Sequence, residues 1–142
     1  MNQNQLERYS FLWSEARLVI AAVALFIGGV PPLQAYGHLP SGLTSSLLTI
    51  AWLISGLASG YLFYRWYTGN KMLFGRKENL DTAAFFVSVI SGINLGVVGL
   101  LRTNIGMSIS SNQMIFNLVG LLYIVSAGYL YKRWLSHGQR IF

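Results

Sequence analysis

Gly60-Tyr61-Leu62-Phe63-Tyr64-Arg65-Trp66 recurs 68 residues later as Gly128-Tyr129-Leu130-Tyr131-Lys132-Arg133-Trp134. Five of the seven positions are identical, and a sixth exchanges Phe for Tyr. Each copy closes a long apolar segment. Tyr and Trp prefer the headgroup zone of a bilayer, where an apolar ring and a polar tip are both accommodated. Arg reaches phosphate or water from the end of an aliphatic stem. The motif therefore marks the end of a membrane span, and the rest of the chain is arranged around its two copies.

Composition agrees. Of 142 residues, 54% are hydrophobic and only 10% charged, against about 25% charged in a typical soluble domain. Most of such a chain cannot face water, and its length suits a single membrane domain over residues 1–142. The net charge is +6. Its basic residues flank apolar runs and form no stripe, so no nucleic-acid partner is expected. With no Cys in the chain, disulfides, thiolate metal sites and a Cys nucleophile are excluded.

Working outward from the first copy, Leu18 to Tyr64 carries no formal charge when His38 is neutral. Gly37-His38-Leu39-Pro40-Ser41-Gly42 divides this run in two. A span needs about 20 residues at 1.5 Å each, so residues 16–36 and 44–66 both qualify. Upstream, Asn4 followed by Glu7 resembles a capping box, which predicts a helix start near Gln5. The first apolar run lacks a small-x-small cleavage pattern and is expected to be a retained span. Downstream, Thr68 to Leu80 is a polar, basic connection with Lys71, Arg76 and Lys77. Asp81 is the expected N-cap of a third span over residues 82–101, and the fourth covers 113–134.

The expected fold is thus all-α integral membrane, with four transmembrane helices. The 68-residue offset lays the first span on the third and the second on the fourth. It also aligns Gly28 with Gly96, Val30 with Val98, Leu33 with Leu101 and Phe74 with Phe142. That predicts two parallel-repeat helical hairpins, over about 14–74 and about 82–142, related by an axis along the membrane normal. Nine of the ten Lys and Arg residues fall on the side of the termini and the 68–80 loop. The positive-inside rule then places both termini in the cytoplasm, in a protein of the cell membrane.

Inside the spans, Gly56-x-x-x-Gly60, Gly92-x-x-x-Gly96 and Ala24-x-x-x-Gly28 offer small faces for close helix packing. A candidate polar pocket or solute path consists of Asn94, Ser88, Ser91, Ser55 and Asn117 with the Gly29-Pro31-Pro32 break, where prolines free helix carbonyls. Ser55 and Ser91 are the expected partners of the Asn94 amide. Arg65, Trp66, Arg133 and Trp134 form a candidate lipid-headgroup belt. Glu15 and Arg17 are candidate interfacial ionisable residues, i and i+2 on a helix and so not facing each other.

The four acids, Glu7, Glu15, Glu78 and Asp81, make no carboxylate pair within a span, and His38 and His137 lie apart in opposite turns. The sequence has no phosphate loop or nucleophile elbow. The expectation is a non-enzymatic protein without cofactor or metal, embedded in lipid, acting as an accessory or assembly subunit that self-associates or joins a larger membrane protein. The alternatives are an oligomeric channel or small-solute transporter, and an anionic-lipid-binding module.

Overall fold

A computed structural model describes residues 2–142. It holds six helices: α1 (Gln3–Phe26), α2 (Pro32–Tyr36), α3 (Ser41–Thr68), α4 (Asn79–Leu101), α5 (Ile105–Ile109) and α6 (Gln113–Ser136). Four of them, α1, α3, α4 and α6, are long and apolar enough to cross a membrane, which marks a multi-pass membrane protein.

The first span differs from the expected 16–36. It begins earlier, because Asn2 and Gln5 form the capping box, with Gln5 N donating to Asn2 Oδ1 at 2.9 Å and Asn2 N donating to Gln5 Oε1 at 3.1 Å. Asn4 and Glu7 lie within the helix instead. It also ends earlier. Gly28 (φ +86°) and Gly29 (φ +83°) take the left-handed backbone that glycine enters without penalty, so the chain turns before it reaches Pro31. Pro32 then starts α2, where its missing N–H costs nothing. Starting at Gln3 shifts the frame of the whole helix: Glu15 and Arg17 lie near its middle and not at its edge.

The expected N-cap of α4 is also corrected. Glu78 occupies that position, with no side-chain hydrogen bond, and Asp81 is turned into the bundle with 0% exposure. The 68–80 connection is less polar in effect than in composition. Leu73 and Arg76 exchange backbone hydrogen bonds at 2.9 Å, and Phe74 N donates to Ile141 O at 2.7 Å. This tucks Leu73, Phe74 and Ile141 under the bundle.

The four long helices form a ring in the order α1, α3, α4, α6, closed by α6 on α1. The tightest seams are α3 with α4 and α1 with α6, while α1 and α4 also touch across the diagonal. Among the described residues α3 and α6 do not meet. The termini and the 68–80 loop share one end of the ring, tied together by the Phe74–Ile141 bond. Here lies the apolar core, including Phe11, Leu62, Phe85, Leu130 and Trp134. At the other end, α5 packs on α4, and Gln113 Nε2 reaches Leu25 O at 3.0 Å. Leu57, Ile90, Leu100 and Leu118 point outward, as side chains solvated by lipid must. The α3–α4 backbones come nearest at Gly56 and Gly96. A Cβ on Gly56 would stand 2.6 Å from the Gly96 Cα, so the seam needs glycine there. Gly60, by contrast, faces open space.

Candidate functional site

The middle of the ring is polar. Arg17 and Glu15, each only 6% exposed, meet the diagonal helix α4 there. Arg17 Nη1 donates to Ser91 Oγ at 2.9 Å, and Nη2 donates to Ser88 O at 2.8 Å. The Ser88 hydroxyl lies between the two charges: it is 3.4 Å from Arg17 Nη2 and donates to Glu15 Oε1 at 3.4 Å. Residues two apart on α1, which do not face each other along the helix, are thus joined through a serine of another helix. Gly92 makes the space. A Cβ at that position would come within 3.0 Å of Arg17 Nη2 and collide with Ser59 Oγ. Four buried polar atoms around this point have no hydrogen-bond partner among the described residues: Ser14 Oγ, Glu15 Oε2, Arg17 Nε and Ser59 Oγ. Burying charge without full satisfaction is costly, and such groups inside a span mark functional sites by default.

Ser14, Ser59 and Gly92 were not singled out from sequence at this site. A signal was present, however. Glu7, Phe11, Ser14, Leu18 and Ala22 recur at helical spacing, and all are buried. Reading that stripe back through the polar N-terminal residues would have placed Glu15 and Arg17 deep in the span.

The candidate headgroup belt is turned inward. Arg65 Nε bonds Glu7 Oε1 of α1 at 2.6 Å. Arg133 takes Asp81 of α4 with two bonds, at 2.8 and 2.7 Å, and Tyr129 OH adds a third at 2.6 Å. Trp134 is 3% exposed and packs on Phe11 at 5.5 Å between ring centroids. Trp66 is half-buried against Phe86, edge on, at 5.0 Å. Both indole N–H groups are buried without an acceptor among the described residues.

The candidate polar path is dispersed. Ser88 and Ser91 belong to the Arg17 cluster. Ser55 Oγ donates to Ala51 O at 2.6 Å and accepts from Trp13 Nε1 at 3.0 Å. Asn94 bonds neither Ser55 nor Ser91. It anchors the turn into α5 by accepting from Ile105 N at 3.0 Å and donating to Asn104 Oδ1 at 3.0 Å. Asn117 is exposed and accepts from Gln113 Nε2 at 2.8 Å. Gly29 and Pro31 sit in the α1–α2 turn and Pro32 opens α2, with Gly29 against Met107 and Phe116.

Between α1 and α6 an apolar groove of ≈ 380 Å³ opens on the outer face of the bundle. Leu12, Ala16 and Val19 line one wall, and Ala127, Gly128 and Tyr131 the other. Glu15 also lines it, as its single carboxylate. Among the described residues no cluster of three His, Cys, Asp or Glu side chains could hold a metal ion. Set against known protein families, curated proteins and solved structures, the chain matches none.

Proposed function

We propose that this chain is a non-enzymatic accessory or assembly subunit of the cell membrane, built from two parallel hairpins with both termini in the cytoplasm. The observation that carries this reading is where the polar groups go. Asn94, Ser55, Asn117 and the Gly29-Pro31-Pro32 turn are used in separate local contacts. The Gly56–Gly96 approach draws α3 and α4 together. The interior thus serves to hold one bundle, and the apolar outer faces are left for lipid and for a second membrane chain, a further copy or a larger protein.

The two-hairpin reading is supported by the ring order. Exchanging α1 with α4 and α3 with α6 maps the neighbouring contacts of the four long helices onto one another and leaves α1 and α4 facing across the axis, although α2 packs on α3 and α5 has no matching contact with α6. The cytoplasmic placement is supported by charge. With the buried Arg17 set aside, Arg8, Arg65, Lys71, Arg76, Lys77, Lys132, Arg133 and Arg140 still lie at the end that holds the termini. The solute-path and lipid-headgroup readings have weaker support, since their residues are dispersed or paired internally.

Native mass spectrometry of the protein released gently from membrane tests the proposal. A defined homo-oligomer or a stoichiometric second polypeptide is expected. A lone monomer carrying only bulk lipid would remove the subunit reading.

A further inference from the structure

We infer that the cavity where the start of α1 meets residues 138–142 is a binding site for a phosphomonoester. This cavity of ≈ 370 Å³ lies at the end of the bundle that holds the termini. Asn4, Glu7 and Arg8 stand on its α1 side, and Gln139, Arg140 and Phe142 on the other. Arg8 and Arg140 have no ion pair and no side-chain hydrogen bond among the described residues. Glu7 is the single acid of the lining, and Arg65 of α3 already holds it at 2.6 Å. Arg65 also lies over the Phe142 ring, 5.8 Å from its centroid. Three guanidinium groups from three segments thus gather against one carboxylate, an excess of two positive charges.

The walls are held in place. Gly138 (φ +64°) and Gln139 (φ +61°) turn the chain back under the bundle. Gln139 N donates to Trp134 O at 2.9 Å, and Phe74 N donates to Ile141 O at 2.7 Å, so Arg140 sits between two fixed points. Arg8 lies across the Trp134 ring, 5.8 Å from its centroid. A positive excess in a concave site attracts an anion, and the donors select its kind. One guanidinium takes two oxygens at once. A carboxylate or a phosphodiester offers two free oxygens and one charge, which a single arginine answers. A terminal phosphoryl group offers three oxygens and about 1.5–2 charges at pH 7, enough for Arg8 and Arg140 together. The cavity falls within the range of small-molecule pockets, about 300–1,000 Å³, and so has room for the group that carries the phosphoryl. The side-chain amides of Asn4 and Gln139 line it and are free to bond that group. Two sources share this chemistry: a lipid headgroup of the adjoining leaflet and a soluble phosphate ester. The inference goes beyond the subunit reading and does not depend on it.

The experiment uses the full chain in phosphatidylcholine nanodiscs. Native mass spectrometry reads retention of added phosphatidic acid against phosphatidylglycerol, and calorimetry reads binding of glycerol 3-phosphate. One ligand per chain is expected. Retained phosphatidic acid makes the source a lipid, and bound glycerol 3-phosphate makes it a soluble ester. Arg8→Gln with Arg140→Gln should weaken binding roughly a hundredfold, about tenfold for each hydrogen bond to a charged group. Lys77→Gln with Lys132→Gln removes the same charge from the same end, outside the lining, and should leave affinity within about twofold because exposed charges are screened. Binding in neither arm would overturn the inference. So would equal retention of phosphatidylglycerol, or equal losses in the arginine and lysine pairs, since either makes the attraction a diffuse property of the basic end. The lipid comparison is made on the unaltered protein, so a variant that fails to fold leaves the question decidable.

Discussion

The two copies of the Gly-Tyr-Leu-x-x-Arg-Trp motif have nearly the same sequence and quite different surroundings. In the second, Arg133 grips a fully buried Asp81 with two bonds, and Tyr129 completes the carboxylate's shell. In the first, Arg65 makes one bond to Glu7, which keeps 12% side-chain exposure where Asp81 keeps none; the two arginines themselves are alike, at 25% and 23%. Trp134 is packed on Phe11 from α1, whereas Trp66 is half-exposed among the Phe side chains of α3 and α4. The acids that answer the two arginines do not correspond: Asp81 and Glu7 are 74 residues apart, against 68 for the motif. A repeated segment supplies the same tools twice, and the neighbouring helix decides what each copy holds.

The difference can be broken or sharpened by mutation, measured as unfolding in mixed micelles. The largest effect is expected for Asp81→Ala, which takes the buried acceptor from both Arg133 and Tyr129, leaves Arg133 only Glu78 at 3.7 Å, and should cost about 3 kcal/mol. Next comes Tyr129→Phe, which removes a hydrogen bond to a charged carboxylate and should cost about 1.5–3 kcal/mol. Glu7→Ala follows at about 1 kcal/mol, because Arg65 keeps 25% exposure and stays partly solvated. Smallest is Tyr61→Phe, the counterpart of Tyr129→Phe, which should stay within about 0.5 kcal/mol. Equal losses for Asp81→Ala and Glu7→Ala would mean that the two ends bear load alike and that the burial difference has no energetic consequence.

The same contrast separates what was legible in the sequence from what was not. The spans of α3, α4 and α6 fall within a few residues of their expected bounds, since each is set by a local apolar run with polar ends. The first span was misplaced because its helix runs through a polar N-terminal stretch, and hydropathy alone gives such residues to water. Glu7, Ser10, Ser14, Glu15 and Arg17 are buried nonetheless. Their partners come from other helices, and in lipid a polar side chain with an interhelical partner is better placed inside than out. Asn94 was rightly conspicuous as a polar residue in a span, yet its partners lie only 10 to 12 residues away in the α5 turn.

By itself, the sequence determined that four helices are long and apolar enough to cross a membrane and that their ends carry aromatic and basic residues. These properties are sums over one segment and need no knowledge of its neighbours. Only the tertiary structure decided that the arginines face inward to Glu7 and Asp81, that Glu15 and Arg17 meet through Ser88, and that Glu15 borders an open groove beside Gly128. Those outcomes depend on the rotation of each helix about its axis and on its register against the next. A hydrogen bond made 70 residues away along the chain is a matter of both, and neither is written in any single span.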